Sequence, residues 1–288
     1  MNITTMKMTE NSDTYLYCQE IVDKYDHDRY LTILYSPAEK RPALAALYAF
    51  NYEISKIREV VSEPMLGEIR LQWWREAIDD IFKGIMRNHD IIPALSAAIA
   101  QHELCRDSLM TIIDARAQDL YDEPLENNAA LEKYLSQTAG KLSCLAVHIL
   151  GQRDIDDLAQ RLGIVWGYLG IIRAVPYHLS LKKSYIPVDL MAEQGLSHTK
   201  FLSPEGGAET KSIIQALCHQ AQLHLDYITA NKGRIDTAAR PAFLLTSLAR
   251  SYLKTIKKAD FNPFVLAEKK DALPRQWRLF IAAMFNLV

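Results

Sequence analysis

A row of polar side chains follows one predicted helix in the first quarter of the chain. Their spacing of three or four residues places them on one face of a continuous helix: Tyr48, Asn51, Ser55, Glu59 and Ser62. Such groups can hydrogen-bond to one another or contact a ligand. The row is polar but nearly neutral, with Lys56 beside it. We interpret it as a hydrogen-bonded wall of a helical bundle, and a ligand-contacting surface is the alternative.

A stripe of small residues marks a second predicted helix. Gly163, Gly167, Gly170 and Ala174 follow the helical spacing i, i+4, i+7 and i+11. Glycine inside a helix costs about 1 kcal/mol relative to alanine, so three of them on one face need a reason. Close packing of a neighbouring helix is one explanation. An apolar groove for a lipid or isoprenoid tail is the other, and the same glycines serve both.

One charge interrupts the apolar run of this second helix. Arg173 is the only charged residue between Ile164 and Val175. We expect it to pair with a carboxylate of another helix, for which Asp114 and Asp119 are candidates. The alternative is an anion site, because a guanidinium can meet two phosphate oxygens at once.

Proline follows closely in the same segment. Pro176 lacks a backbone donor, and we expect it to end or kink the helix. Such a break would redirect Tyr177 and His178. A single histidine at this place is expected to be a hydrogen-bonded structural group.

Composition excludes several classes of protein. The chain has 288 residues, of which 49% are hydrophobic and 24% charged, with a net charge of -2. These values are typical of a globular protein and give no general attraction to nucleic acid. No apolar run is long enough for a membrane span. Four scattered cysteines predict reduced thiols. Since the first residues resemble no targeting signal, we predict a cytoplasmic protein, with peripheral contact at the inner face of a membrane at most.

Apolar periodicity predicts helices almost throughout the chain. Three stripes are clearest: Leu44, Leu47, Ile54, Ile57 and Val61; Leu66, Ile69, Trp73 and Ala77; Ile214, Leu217, Ala221, Leu225 and Ile228. No linker or internal repeat interrupts the pattern, so residues 1–288 are predicted to form one all-α domain. The apolar run 277–285 is predicted to be the last core helix, with docking onto a membrane or partner helix as the alternative.

Both polar segments resemble motifs of the squalene and phytoene synthase family. Tyr48-Ala49-Phe50 matches the start of its first motif, in which an Asp-Asp-x-x-Asp run holds Mg²⁺ and a prenyl diphosphate. The corresponding residues here are Ser55, Lys56 and Glu59. Other matching segments follow in the order of the family: 29–31, 37–41, 71–76, 113–120, 138–140 and 184–187.

The second motif shows the larger departure from that pattern. Residues 162–178 align with Leu-Gly-x-x-x-Gln-x-x-Asn-x-x-Arg-Asp-x-x-Glu-Asp. Arg173 matches, whereas the polar and acidic positions are replaced by Gly167, Gly170, Ala174, Tyr177 and His178. The resemblance also implies that Arg173 could bind phosphate with Lys182 and Lys183, which stand where active relatives carry Gly-Arg. Because Mg²⁺ prefers carboxylates and phosphates, the departures imply that no metal or other cofactor is bound.

The resemblance implies an isoprenoid synthase fold and a function without catalysis. Within the family, the chain resembles non-catalytic members required for assembling respiratory complex I. The shared strings are 17–18, 49–51, 61–63, 173–178, 224–225 and 241–244. The implied partners are complex I subunits or other assembly proteins, and an isoprenoid or lipid is a candidate ligand of the old substrate cavity. The alternatives are a Mg²⁺-dependent head-to-head prenyl diphosphate transferase with degenerate motifs, or a lipid carrier.

Overall fold

The computed structural model describes residues 3–181, 183–196, 207–266 and 274–285, with side chains from Thr14 onward. All regular elements in these ranges are helical, and none of the described residues forms a β-strand. The all-α prediction is therefore confirmed. Among the described helices, none combines the length and the low polarity needed to cross a membrane.

Two compact units share the chain. The first contains residues 1–121, 141–156 and 235–242, and the second contains residues 122–140, 157–234 and 243–288. Each unit therefore combines segments that are distant in sequence. The single domain predicted over residues 1–288 stays a prediction.

The first unit is organised around α3, which packs against α1, α2, α5, α6 and α8. Its helices are α1 (Ile3–Tyr25), α2 (His27–Leu34), α3 (Arg41–Ser55), α4 (Pro64–Phe82), α5 (Ile92–His102), α6 (Arg106–Arg116) and α8 (Lys141–Leu150), with 3₁₀ turns at Ala38–Lys40, Ile57–Glu59 and Ala117–Leu120. Residues 43–50 of α3 are all buried, and four of these eight are alanines. Small side chains allow several helices to approach α3 closely, and alanine has the highest helix propensity.

The second unit is built around the long helix α9. Its helices are α7 (Asn128–Leu135), α9 (Asp156–Ser180), α10 (Val188–Glu193), α11 (Ala208–Ala230), α13 (Leu245–Lys258), α14 (Pro263–Leu266) and α15 (Arg275–Met284). A π-helical turn at Ser136–Gly140 follows α7, and the short α12 (Arg240–Phe243) spans the sequence boundary between the units. The Asn127 side chain accepts a hydrogen bond from the Ala130 amide at 2.9 Å and caps α7.

The predicted apolar stripes fared differently. All five residues of the first stripe are buried, and so are all five of the stripe in α11. The α4 stripe was only partly right, because Ala77 is buried but Leu66 is 46% exposed and Ile69 60% exposed. Trp73 is half-buried. Periodicity identified an apolar face of α4 correctly, but it could not tell whether another element covers that face.

Candidate functional site

The first predicted site segment changes its backbone type in the middle. Helix α3 ends at Ser55, Lys56 forms its C-terminal cap, and Glu59 belongs to a 3₁₀ turn. Ser62 lies in the loop before α4. The prediction of one continuous helical face from Tyr48 to Ser62 was therefore wrong beyond Ser55. Ile57, in the 3₁₀ turn, and Val61, in the loop that follows it, are nevertheless buried.

An internal ion pair occupies the end of α3. The Lys56 ammonium donates to Glu53 Oε1 at 2.5 Å, and the two side chains are only 29% and 11% exposed. The same ammonium lies 4.9 Å from the centre of the Tyr52 ring. Tyr52 in turn stacks on Tyr25, with ring centres 4.2 Å apart. Lys56 is thus held by a carboxylate and by the electron-rich face of an aromatic ring.

The remaining residues of the first segment do not form a common site. Tyr48 is buried, which raises its pKa to about 12, and the Arg29 guanidinium lies 5.4 Å from its ring centre. The Ser55 hydroxyl donates to the Tyr52 carbonyl at 3.0 Å. Asn51 is buried, and its Oδ1 has no hydrogen-bond partner among the described residues. Glu59 is exposed. Lys56 and Glu53, rather than the predicted row, dominate the electrostatics here.

A cavity of about 210 Å³ lies beside this ion pair in the first unit. Its lining residues are Glu53, Lys56, Ile57, Val60, Arg70, Trp73, Trp74 and His89. The Ile91 amide donates to His89 Nδ1 at 3.3 Å, so neutral His89 carries its proton on Nε2. That nitrogen lies 4.0 Å from Glu53 Oε2. Burial lowers the pKa of His89, and the Glu53 carboxylate opposes this effect.

Sequence reasoning missed the Glu53–His89 arrangement. Glu53 precedes Lys56 by three residues, a helical spacing typical of ion pairs, and this was the available signal. Nothing in the spacing indicated His89, which lies between α4 and α5.

Close backbone packing explains two of the glycines in the second segment. A β-carbon at Gly163 would lie 2.1 Å from the Ala139 carbonyl oxygen in the π-helical turn. One at Gly167 would lie 2.6 Å from the Leu135 side chain of α7. Around Gly170, by contrast, no atom of the described part of the chain lies within 4 Å of such an atom, and the residue is exposed. Gly163 and Gly167 therefore allow α9 to approach α7 and the π-helical turn.

Helix α9 continues to Ser180 with Pro176 inside it. Of the two predicted effects of Pro176, an end of the helix was wrong, since the proline removes one backbone donor while the following turn still forms. A kink stays a prediction. Tyr177 is 48% exposed. The His178 ring lies 4.9 Å from that of Tyr185, which stacks on Tyr134 at 5.8 Å. His178 thus belongs to an aromatic cluster.

The three predicted anion-binding residues have different surroundings. Arg173 is exposed, and its guanidinium lies 4.3 Å from the ring centre of Tyr252. Lys183 lies with its ammonium 5.2 Å from the Tyr185 ring centre. Lys182 lies outside the described residues. The carboxylates proposed as partners of Arg173 have recorded arginine partners in the first unit: Arg75 for Asp114 at 2.7 Å and Arg116 for Asp119 at 3.1 Å. The Arg173 pairing stays a prediction.

A second feature missed from the sequence is a polar cleft of about 490 Å³ in the second unit. Arg161 donates to His224 Nδ1 at 3.1 Å, and His224 Nε2 lies 3.5 Å from Glu132. Because arginine is only a donor, neutral His224 carries its proton on Nε2, toward the glutamate. Burial lowers the pKa of His224, more strongly than Glu132 raises it. The cleft therefore holds a mixed set of cations and anions.

The side chains of the two segments do not suit the Mg²⁺ ions of the resembled family. Ser55 is bonded to its own helix, Lys56 is a cation, and the nearby Glu53 already accepts from that cation. Ala174, Tyr177 and His178 supply no carboxylate to the second segment. Within the described ranges, no three His, Cys, Asp or Glu side chains are placed to share a metal ion.

Comparison with known proteins identifies relatives over almost the whole chain. The family model of squalene/phytoene synthase matches residues 22–282. A Rattus norvegicus protein named NADH dehydrogenase (ubiquinone) complex I, assembly factor 6 is 33% identical over 92% of this chain and 83% of its own. The chloroplastic phytoene synthase 1 of Arabidopsis thaliana is 22% identical over 88% of this chain and 62% of its own.

A similar fold also occurs among solved structures. The crystal structure of a dehydrosqualene synthase in complex with ligand has a TM-score of 0.83 at 19% identity, over 97% of this chain and 98% of that one. At this identity the likeness concerns the fold alone, and it agrees with the predicted isoprenoid synthase architecture.

Proposed function

Because the chain belongs to the squalene/phytoene synthase family, we propose that it is a non-catalytic member that supports the assembly of respiratory complex I. The similarity to the assembly factors carries this proposal. Identity to the rat protein is 33%, against 22% to a phytoene synthase. The family alone would not distinguish the two roles, since one fold hosts many functions.

Local chemistry supports the absence of synthase activity. Binding two prenyl diphosphates requires several positive charges, which the family supplies as Mg²⁺ held by carboxylates. In the first segment Ser55 and Lys56 stand at two of the three acidic positions, and Glu59 at the third is exposed. The buried carboxylate nearby, Glu53, is already paired with Lys56. In the second, small and aromatic residues stand at the acidic positions of the motif. The protein would therefore lack the means to gather the metal ions on which the reaction depends.

The proposed partners are complex I subunits or other assembly proteins. We further propose that an isoprenoid or lipid binds without a metal ion, since the family fold is retained. Native mass spectrometry of the purified full-length chain tests this ligand separately. A co-purifying mass of an isoprenoid or lipid supports it, and a spectrum of the bare chain under gentle conditions contradicts it.

Deletion of the gene in the organism that encodes the chain tests the assembly role. We expect a large decrease of intact complex I on native gels stained for NADH dehydrogenase activity. Transcripts of the complex I subunits, and the amounts of squalene and carotenoids, should stay unchanged. The full-length gene should restore the complex, whereas an active dehydrosqualene synthase expressed from the same promoter should not. Unchanged complex I in the deletion strain would exclude the proposed role.

A further inference from the structure

Helix α15 presents an apolar face to solvent. Its exposed residues, with the following Phe285, repeat at helical spacing, and their exposed fractions are large: Trp277 59%, Phe280 46%, Ile281 37%, Met284 57% and Phe285 65%. The Trp277 and Phe280 rings also pack edge to face at 6.0 Å. The prediction of a last core helix was therefore only partly right.

The opposite side of α15 anchors the helix to its unit. Leu279 is fully buried and Ala282 is 1% exposed. Helix α15 packs against α13, and the Arg275 guanidinium lies 6.0 Å from the ring of Tyr252 in that helix. One apolar face thus holds α15 in place, while a second and larger one is exposed and is not covered by the described residues. A monomeric protein rarely exposes such a cluster without a binding role.

The charge of this region differs from that of the whole chain. Residues 244–288 contain eight Lys or Arg and three Asp or Glu, although the complete sequence carries a net charge of -2. Neither α13 nor α15 contains an acidic residue. Lys254, Lys257 and Lys258 are exposed on α13 at positions i, i+3 and i+4. The region therefore combines exposed aromatic side chains with an excess of positive charge.

We propose that the exposed face of α15 docks the protein onto an anionic lipid bilayer. A helix with tryptophan and phenylalanine on one face and cations nearby suits the boundary between acyl chains and headgroups. Lysines and arginines close to that surface are attracted by acidic lipids. The helix would lie in the interface rather than cross it. This proposal does not depend on the assembly role.

Vesicle sedimentation of the full-length protein tests the proposal. We expect the wild type to bind vesicles of 70% phosphatidylcholine and 30% phosphatidylglycerol more strongly than pure phosphatidylcholine. Binding should weaken when NaCl is raised, because salt screens the charges. The double variant Trp277→Ala/Phe280→Ala should reduce the partition coefficient at least about tenfold, since both side chains would leave the interface.

A matched control comes from the other exposed apolar surface. Met65 and Ile69 of α4 are 73% and 60% exposed, but that helix contains four acidic and two basic residues. The variant Met65→Ala/Ile69→Ala should bind vesicles like the wild type. Circular dichroism and thermal unfolding establish that both double variants are folded.

Three results would overturn the proposal. One is the absence of wild-type binding to acidic vesicles, and another is equal binding by the Trp277→Ala/Phe280→Ala variant. The third is a wild-type protein that does not bind vesicles but forms a concentration-dependent dimer, measured by light scattering, which the Trp277→Ala/Phe280→Ala variant no longer forms. That result would assign the face to a second copy of the chain.

Discussion

The two segments that resemble the family's motifs differ in what surrounds their side chains. In the first segment Glu59 is an exposed carboxylate, and the buried carboxylate of Glu53 pairs with Lys56 within the same helical turn. In the second no carboxylate remains, and Gly163 and Gly167 bring α9 against the backbone and side chains of neighbouring elements. An ion pair thus characterises the first segment, and close steric packing the second.

Because of this difference, the stability of the two segments should be sensitive to different kinds of substitution. Packing against backbone atoms tolerates no added volume, because the backbone cannot move aside as a side chain can. A half-buried ion pair tolerates a change of shape but not the loss of one charge. Added volume should therefore be most costly in the second segment, and a lost charge in the first.

Gly163→Ala should break the steric side of the comparison. Its new β-carbon would overlap the Ala139 carbonyl, so we expect a loss of about 3 kcal/mol in the free energy of unfolding. Gly170→Ala is the matched control in the same helix, and it should raise that free energy by about 0.5–1 kcal/mol. Urea denaturation measures both values. Equal effects of the two variants would contradict the packing explanation.

Glu53→Gln should break the electrostatic side. The substitution keeps the shape of the side chain but leaves the Lys56 ammonium partly buried without its carboxylate. We expect a loss of about 2 kcal/mol in the free energy of unfolding. For Glu59→Gln, at an exposed position, the change should stay below about 0.5 kcal/mol. If denaturation shows the same small change for both, the ion pair does not stabilise the first segment.

Acidification should affect both units, because His89 of the first is half-buried and His224 of the second is buried. Burial lowers the pKa of His89 and of His224, so the folded protein binds fewer protons than the unfolded chain near pH 6. Stability is then complete above about pH 6.5, the pKa of an unfolded histidine, and is lost as the pH falls below it. Each histidine should cost about 1 kcal/mol between pH 7 and pH 5.5.

The variants His89→Gln and His224→Gln should each reduce this pH dependence, measured as the difference between urea midpoints at the two pH values. The variant His219→Gln is the control for replacing a histidine at an exposed position. If His89→Gln or His224→Gln lost more stability on acidification than the wild type, the lowered pKa assigned to that histidine would be contradicted.

The smallest effect is expected at the retained arginine of the second motif. Arg173 lies over the Tyr252 ring at an exposed position, where a cation–π contact contributes about 0.5 kcal/mol. Arg173→Gln should lower the free energy of unfolding by about this amount, and Tyr252→Leu should remove the difference between arginine and glutamine at position 173. A double-mutant cycle measures the coupling, and a coupling of zero would contradict the contact.

Much of the fold was predictable from local pattern. The stripe from Ile214 to Ile228 gave both the helix and its buried face, since five residues at regular spacing define one side of a cylinder. The end of α3 was not predictable in the same way, because Ile57 and Val61 fit a helix and a 3₁₀ turn almost equally well. The helix end expected at Pro176 does not occur, because a long packed helix can tolerate one lost hydrogen bond.

The site was predictable only where its groups are close in sequence. The three-residue spacing of Glu53 and Lys56 carries their ion pair, but His89 is 36 positions from Glu53 and was not foreseen. His224 meets Arg161 and Glu132 across even longer separations. Two explanations of the glycine stripe were open from the residue spacing alone, close helix packing and an apolar groove. The neighbours of Gly163, Gly167 and Gly170 differ, so one stripe holds both close packing and open space.

Turnover with a prenyl diphosphate is the direct test of the proposal that the chain has no synthase activity. Purified full-length protein is incubated with farnesyl diphosphate and Mg²⁺, and hydrocarbon products are extracted and identified by mass spectrometry, with a dehydrosqualene synthase as the positive control. Under the proposal of a non-catalytic protein we expect no condensed C30 product, because Lys56 and the carboxylate-free second segment would not gather the metal ions. A Mg²⁺-dependent C30 hydrocarbon formed by this chain would contradict it.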